Sequence, residues 1–180
     1  MDNKKKPTLP SYQSALLLVA LSAVELLATQ PSLAQSQGEA VGYQSAQVKA
    51  AFLYRLPRFI KWPDGRKAKH FCFDERSEIM STFKLLVEAK NDTATISLLE
   101  KGAQNTTCDV RFVGSDEIGS LTPNQLLVSD RQDFANDGGM IELTRKGSRV
   151  GLNVNLDSLK TGELSASSQL LKLANVVRGD

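Results

Sequence analysis

The stretch KHFCFDERSEIMSTFKLLVEAKNDTATISLLE (69–100) decides the fold class. Its opening KHFCFD (69–74) is short and aromatic-rich, as a strand should be. Ile79, Phe83, Leu86 and Val87 then put one apolar stripe on a helix near 76–90. TISLLE (95–100) returns to a strand-like run. Strands alternating with helices predict a partly parallel sheet with helices packed on it.

Further strands extend that unit on its C-terminal side. DVRFVG (109–114) reads as a strand, and Leu126-Leu127-Val128 is a continuous apolar run of the kind buried on both faces of a sheet. Between them, Asp116 to Leu121 predicts a short helix that stops before Pro123. Segments 140–144 and 149–156 alternate and are joined across Lys146-Gly147, which predicts a β-hairpin. Leu170, Leu171, Leu173, Val176 and Val177 predict a terminal helix. On the N-terminal side, Val48, Ala51, Phe52 and Leu56 predict a helix from about Tyr43. Pro57 should end or kink it, because proline lacks the amide and crowds the preceding turn. Arg58 to Trp62 add one further turn before Pro63-Asp64-Gly65. The expected fold is α/β: a single domain with a mixed, mostly parallel sheet flanked by helices, closed by a C-terminal hairpin and helix.

Residues 1–34 have the layout of a secretory signal. Lys4, Lys5 and Lys6 precede an apolar run from Ala15 to Val24, and Ser32-Leu33-Ala34 supplies small residues at a cleavage site. An uncleaved anchor is the alternative, but spanning takes about 20 apolar residues, and Glu25 interrupts the run. Cleavage near Ala34 would leave a small polar leader (35–42) and one domain (43–178) in the periplasm. Export bears on Cys72 and Cys108. An isolated pair in an oxidising compartment is expected to form a disulfide, worth roughly 4 kcal/mol at most by chain entropy. Two buried free thiols are the alternative.

Composition narrows function further. The 180 residues carry 22 Lys and Arg against 20 Asp and Glu, which lacks the basic excess of a nucleic-acid binder. One histidine, His70, and two cysteines offer too few ligands for an ordinary zinc centre. No Gly-x-Ser-x-Gly, phosphate-binding loop or dinucleotide fingerprint is present. Neither a catalytic residue, a metal site nor a cofactor is therefore expected, and His70 reads as structural. Gly138-Gly139 could bring amides to an anion, but reads better as a turn needing positive φ.

Two stretches exceed the needs of packing. Tyr54, Arg55, Arg58, Lys61 and Trp62 gather aromatic and basic groups at the end of the first helix. Ser165-Ala166-Ser167-Ser168-Gln169 places hydroxyls where the last helix should begin, as N-caps or beside amides that attract anions. A capped helix and a solvated basic face would explain both without a site. The functional reading joins Arg58, Lys61, Trp62, Ser167, Ser168 and Gln169 into one ligand or partner surface.

QVKAAFLYRLPRFIKWP (47–63), GGMIEL (138–143), NVNLDSL (153–159) and LSASSQLLKLA (164–174) together resemble the YfiR-like family of periplasmic proteins. The resemblance runs over about 43–177, and Cys72 and Cys108 sit where the family's long-range disulfide falls. Arg55 and Pro57 depart from its helix signature, and a second cysteine pair found in some relatives is missing. The resemblance implies a non-enzymatic, exported repressor that binds the periplasmic domain of a membrane-bound diguanylate cyclase, lowering cyclic-di-GMP and biofilm formation. The joined surface would itself suit a small anionic or aromatic ligand, a homodimer is a further expected partner, and the near-neutral charge points away from nucleic acid. The alternative the resemblance implies is a small-ligand sensor acting on another membrane protein such as a histidine kinase.

Overall fold

The computed structural model describes residues 34–100, 107–114, 117–147 and 149–178 of the chain. The secretory signal expected at 1–34 thus lies outside the described residues, apart from Ala34. Helix α1 (Ala34–Arg55) takes in 35–42, the expected leader. Gln35, Gln37, Glu39 and Ala40 favour that backward extension, against Gly38 and Gly42. No helix among the described residues is long and apolar enough to cross a membrane.

Strand β2 (His70–Phe73), helix α2 (Glu78–Ala89) and strand β3 (Thr95–Leu98) form the strand–helix–strand unit read from 69–100. The two strands pair in parallel, His70 opposite Thr95 and Phe73 opposite Leu98. Ser77 starts α2 by accepting a hydrogen bond from the Met80 amide at 3.2 Å, a cap worth about 1 kcal/mol. The stripe on α2 buries Ile79, Met80, Phe83 and Val87. Phe83 is fully buried, its ring 4.7 Å from Phe71 and 5.6 Å from Phe73. Burying such a side chain is worth about 2–3 kcal/mol.

Strands β4 (Val110–Phe112) and β5 (Leu126–Ser129) continue the parallel sheet on the other side of β2. All four residues of β5 are buried, as its unbroken apolar run requires. Strands β6 (Ile141–Lys146) and β7 (Arg149–Asn155) form the expected hairpin, with β6 parallel to β5. A seventh strand, β9 (Asn175–Val177), lies parallel to β7. The sheet order is β3-β2-β4-β5-β6-β7-β9, so the architecture is α/β and mostly parallel.

Four elements differ from expectation. The chain from Glu117 to Leu121 is irregular, since Gly119 at φ +64° interrupts any helix. Helix α3 (Leu156–Thr161) ends the strand reading at Asn155, whose side chain caps it by accepting from the Ser158 amide at 3.0 Å. The terminal helix α4 spans only Ser168–Leu173, and Val176 and Val177 belong to β9. A β-branched pair beside an open sheet edge packs better as a strand. Finally, the turn expected at Arg58–Trp62 is shifted: a 3₁₀ turn covers Leu56–Phe59, and Ile60–Lys61 is a strand, β1.

Candidate functional site

Strand β1 joins the segment after α1 to the segment before α4. It pairs antiparallel with β8 (Ser165–Ala166), placing Ile60 opposite Ala166 and Lys61 opposite Ser165. The Ser167 amide then donates to the Phe59 carbonyl at 2.8 Å. The end of α1 and the start of α4 therefore form one continuous piece of surface. Arg58, Lys61, Ser168 and Gln169 are exposed on it.

Two of the six residues singled out from the sequence serve this arrangement from beneath. Ser167 is half-buried and caps α4, its hydroxyl accepting from the Leu170 amide at 3.3 Å. Trp62 is only 5% exposed, and its indole donates to the Asn124 carbonyl at 3.0 Å. Arg66 donates to the same carbonyl at 2.7 Å. The ring is thus an anchor between 62–66 and the loop before β5, and it is not displayed. A six-residue helix whose Leu170 amide is already taken by Ser167 offers little to an anion.

Beside this surface lies a cleft of about 510 Å³. Its walls come from the end of α1 and the 3₁₀ turn, the segment leading into β2, and the turn before β3. The guanidinium of Arg58 stands 5.8 Å from the centre of the Tyr54 ring. The Tyr54 hydroxyl donates to the Asp92 carboxylate, which also accepts the Ala94 amide at 3.1 Å. That hydrogen bond raises Tyr54 above the usual phenol value, with desolvation and the Asp92 charge adding to it. The same hydrogen bond lowers the Asp92 carboxyl, assisted by backbone amides and opposed by desolvation.

Tyr54 and Arg58 were legible as unusual; Arg66, Lys67, Lys69 and Asp92 were not singled out. The run Arg66-Lys67-Ala68-Lys69, three cations in four residues before a strand, was the available signal.

The other sequence motifs have structural work. Lys49 pairs with Asp130 at 2.7 Å and ties α1 to the end of β5. Asn155 donates from its backbone to Met140 and from its side chain to Ala135, at 2.9 and 2.8 Å, while the Ser158 hydroxyl donates to Gly138. Gly138 sits at φ +98°, which supports the turn reading. Cys72 and Cys108 form a disulfide across 36 positions. His70 lies beside it, its Nε2 2.8 Å from the Ser97 hydroxyl and its Nδ1 3.2 Å from the Thr107 carbonyl. With both sulfurs in that bond, the His70, Cys72 and Cys108 cluster cannot act as a thiolate metal site.

Two comparisons bear on identity. No curated protein matches the chain. The model of the YfiR/HmsC-like family matches residues 46–175, most of the chain and nearly all of the described fold. The motifs that carried the resemblance hold α1 to the sheet, build the turn at Gly138-Gly139 and join β1 to β8. On both grounds, the chain belongs to the YfiR/HmsC-like family.

Proposed function

We propose that this protein is an exported, non-enzymatic regulator that binds the periplasmic domain of an inner-membrane diguanylate cyclase and holds it inactive. Cyclic-di-GMP and biofilm formation fall as a result. Family membership over residues 46–175 is the observation that carries this reading. The secretory layout of 1–34 supports a periplasmic location.

The partner surface in this reading is the joined face at β1 and α4. Arg58 and Lys61 contribute positive charge, and Ser168 and Gln169 contribute hydrogen-bonding groups. Trp62 and Ser167 hold the face in shape. Such a surface suits a protein patch with exposed carboxylates, because complementary charge speeds encounter and sets orientation.

Deleting the gene and measuring cyclic-di-GMP tests the proposal. The nucleotide should rise, and the rise should disappear when the cognate cyclase gene is also deleted. An unchanged level in cells that express the protein would overturn it. Loss of a histidine-kinase output without any change in cyclic-di-GMP would favour a sensor module instead.

A further inference from the structure

We propose that the cleft beside the Tyr54–Asp92 pair binds a small organic dianion, a phosphate or dicarboxylate group carried on a compact apolar body. The cleft's volume, about 510 Å³, lies within the range of small-molecule sites, roughly 300–1,000 Å³. It opens at the amino ends of β2 and β3. Its apolar lining comes from Pro57, Ile60, Ala68, Phe71 and Ala94.

The charges around that lining do not balance. Arg58, Arg66, Lys67 and Lys69 line the cleft, against Asp92 as its one acidic lining residue. Asp92 is already committed: one oxygen accepts the Tyr54 hydroxyl and the other the Ala94 amide. Arg66 is committed as well, to Asp109, Asp64 and the Asn124 carbonyl. Among the described residues, Arg58 makes no close ion pair, and Asp92 answers its charge only at a distance; Lys67 and Lys69 make no ion pair with a carboxylate.

Lys69 is nevertheless fixed by its backbone, since its amide donates to Asp109 at 2.7 Å and its carbonyl accepts the Thr95 amide at 2.8 Å. Arg58 is steadied over the Tyr54 ring. Positive charge held at a concave, partly apolar surface is focused there and attracts anions. A monoanion would leave much of that charge unmet; a dianion answers two or three cations at once. An apolar body then covers the floor formed by Phe71 and Ile60.

Anion binding here does not depend on the repressor role and can be tested on the purified protein. Titration calorimetry and amide NMR would use phenyl phosphate, inorganic phosphate and benzyl alcohol as probes. Phenyl phosphate should bind about tenfold more tightly than inorganic phosphate, move the amides of Ala68 and Ala94, and weaken as salt rises. Lys67→Glu with Lys69→Glu should reduce its affinity by about tenfold or more. The milder Lys67→Gln with Lys69→Gln pair should give an intermediate loss, with an unchanged amide spectrum elsewhere. Equal binding of phenyl phosphate and inorganic phosphate would overturn the proposal, as would equal binding of benzyl alcohol. So would phenyl phosphate binding that the lysine variants leave intact, or none below about 10 mM.

Discussion

The Ser167 amide donates to the Phe59 carbonyl at 2.8 Å, joining residues more than a hundred positions apart in the chain. The contact continues the β1–β8 pairing and brings the end of α1 to the cap of α4. Lys61 and Gln169 are both exposed beside this fastened backbone, and side-chain substitutions there can probe the proposed face without unfastening it.

Trp62 is the side chain that such substitutions must leave alone. Trp62→Ala should cost about 3–5 kcal/mol, as removal of a buried aromatic typically does. It also leaves the Asn124 carbonyl with Arg66 alone. Trp62→Phe keeps most of the buried area and should cost about 1–2 kcal/mol, chiefly the lost hydrogen bond. Urea unfolding of both variants checks the order.

The disulfide should stabilise the fold without being needed to specify it. Cys72→Ala with Cys108→Ala should lower stability by up to about 4 kcal/mol, read from the urea midpoint. Thiol titration of denatured, unreduced wild-type protein should find no free cysteine. Two free thiols in protein taken from the periplasm would contradict the bond.

Gly139 is required by space. A Cβ there would lie 2.2 Å from an atom of the Phe134 ring, which is itself fully buried. Gly139→Ala should therefore cost about 1–3 kcal/mol through overpacking and lower the thermal midpoint. Lys84→Ala, on the exposed side of α2, should stay within about 0.5 kcal/mol of wild type.

The Tyr54–Asp92 hydrogen bond should add a small pH dependence with two limbs. Asp92 has a lowered folded pKa, so its contribution is complete above the ordinary carboxyl value and is lost as pH falls through the lowered one. Tyr54 has a raised folded pKa, so its contribution is complete below the ordinary phenol value and is lost as pH rises through the raised one. The stability difference between wild type and Tyr54→Phe should be flat through neutrality and shrink at both extremes. Because Asp92 is exposed and Tyr54 only partly buried, solvent screening should keep the difference within about 1 kcal/mol. Urea unfolding across the pH range measures it.

The sheet was legible because its signals are local. The α2 stripe, the apolar run 126–128 and the hairpin at Lys146-Gly147 each announce themselves within a few residues. Strands β1 and β8 have only two residues each, and their pairing is decided by chain segments far apart in sequence. Val176 and Val177 imitated a helical repeat and became a strand because β7 offered an open edge. For the same reason residue types alone could only suggest a surface at 58–62 and 167–169, and the burial of Trp62 depends on the distant loop before β5. The cleft was missed altogether: it assembles from 54–60, 66–71 and 92–94, and no single stretch contains enough of it.

Affinity capture from membranes tests the central claim most directly, using tagged wild-type protein beside a Lys61→Glu, Gln169→Ala variant. Both substituted residues are exposed, so the variant should unfold within about 1 kcal/mol of wild type. A membrane diguanylate cyclase with a periplasmic domain should be recovered with the wild-type chain and lost, or strongly reduced, with the variant. Recovery of no cyclase by the wild-type chain, or equal recovery by both, would contradict the account.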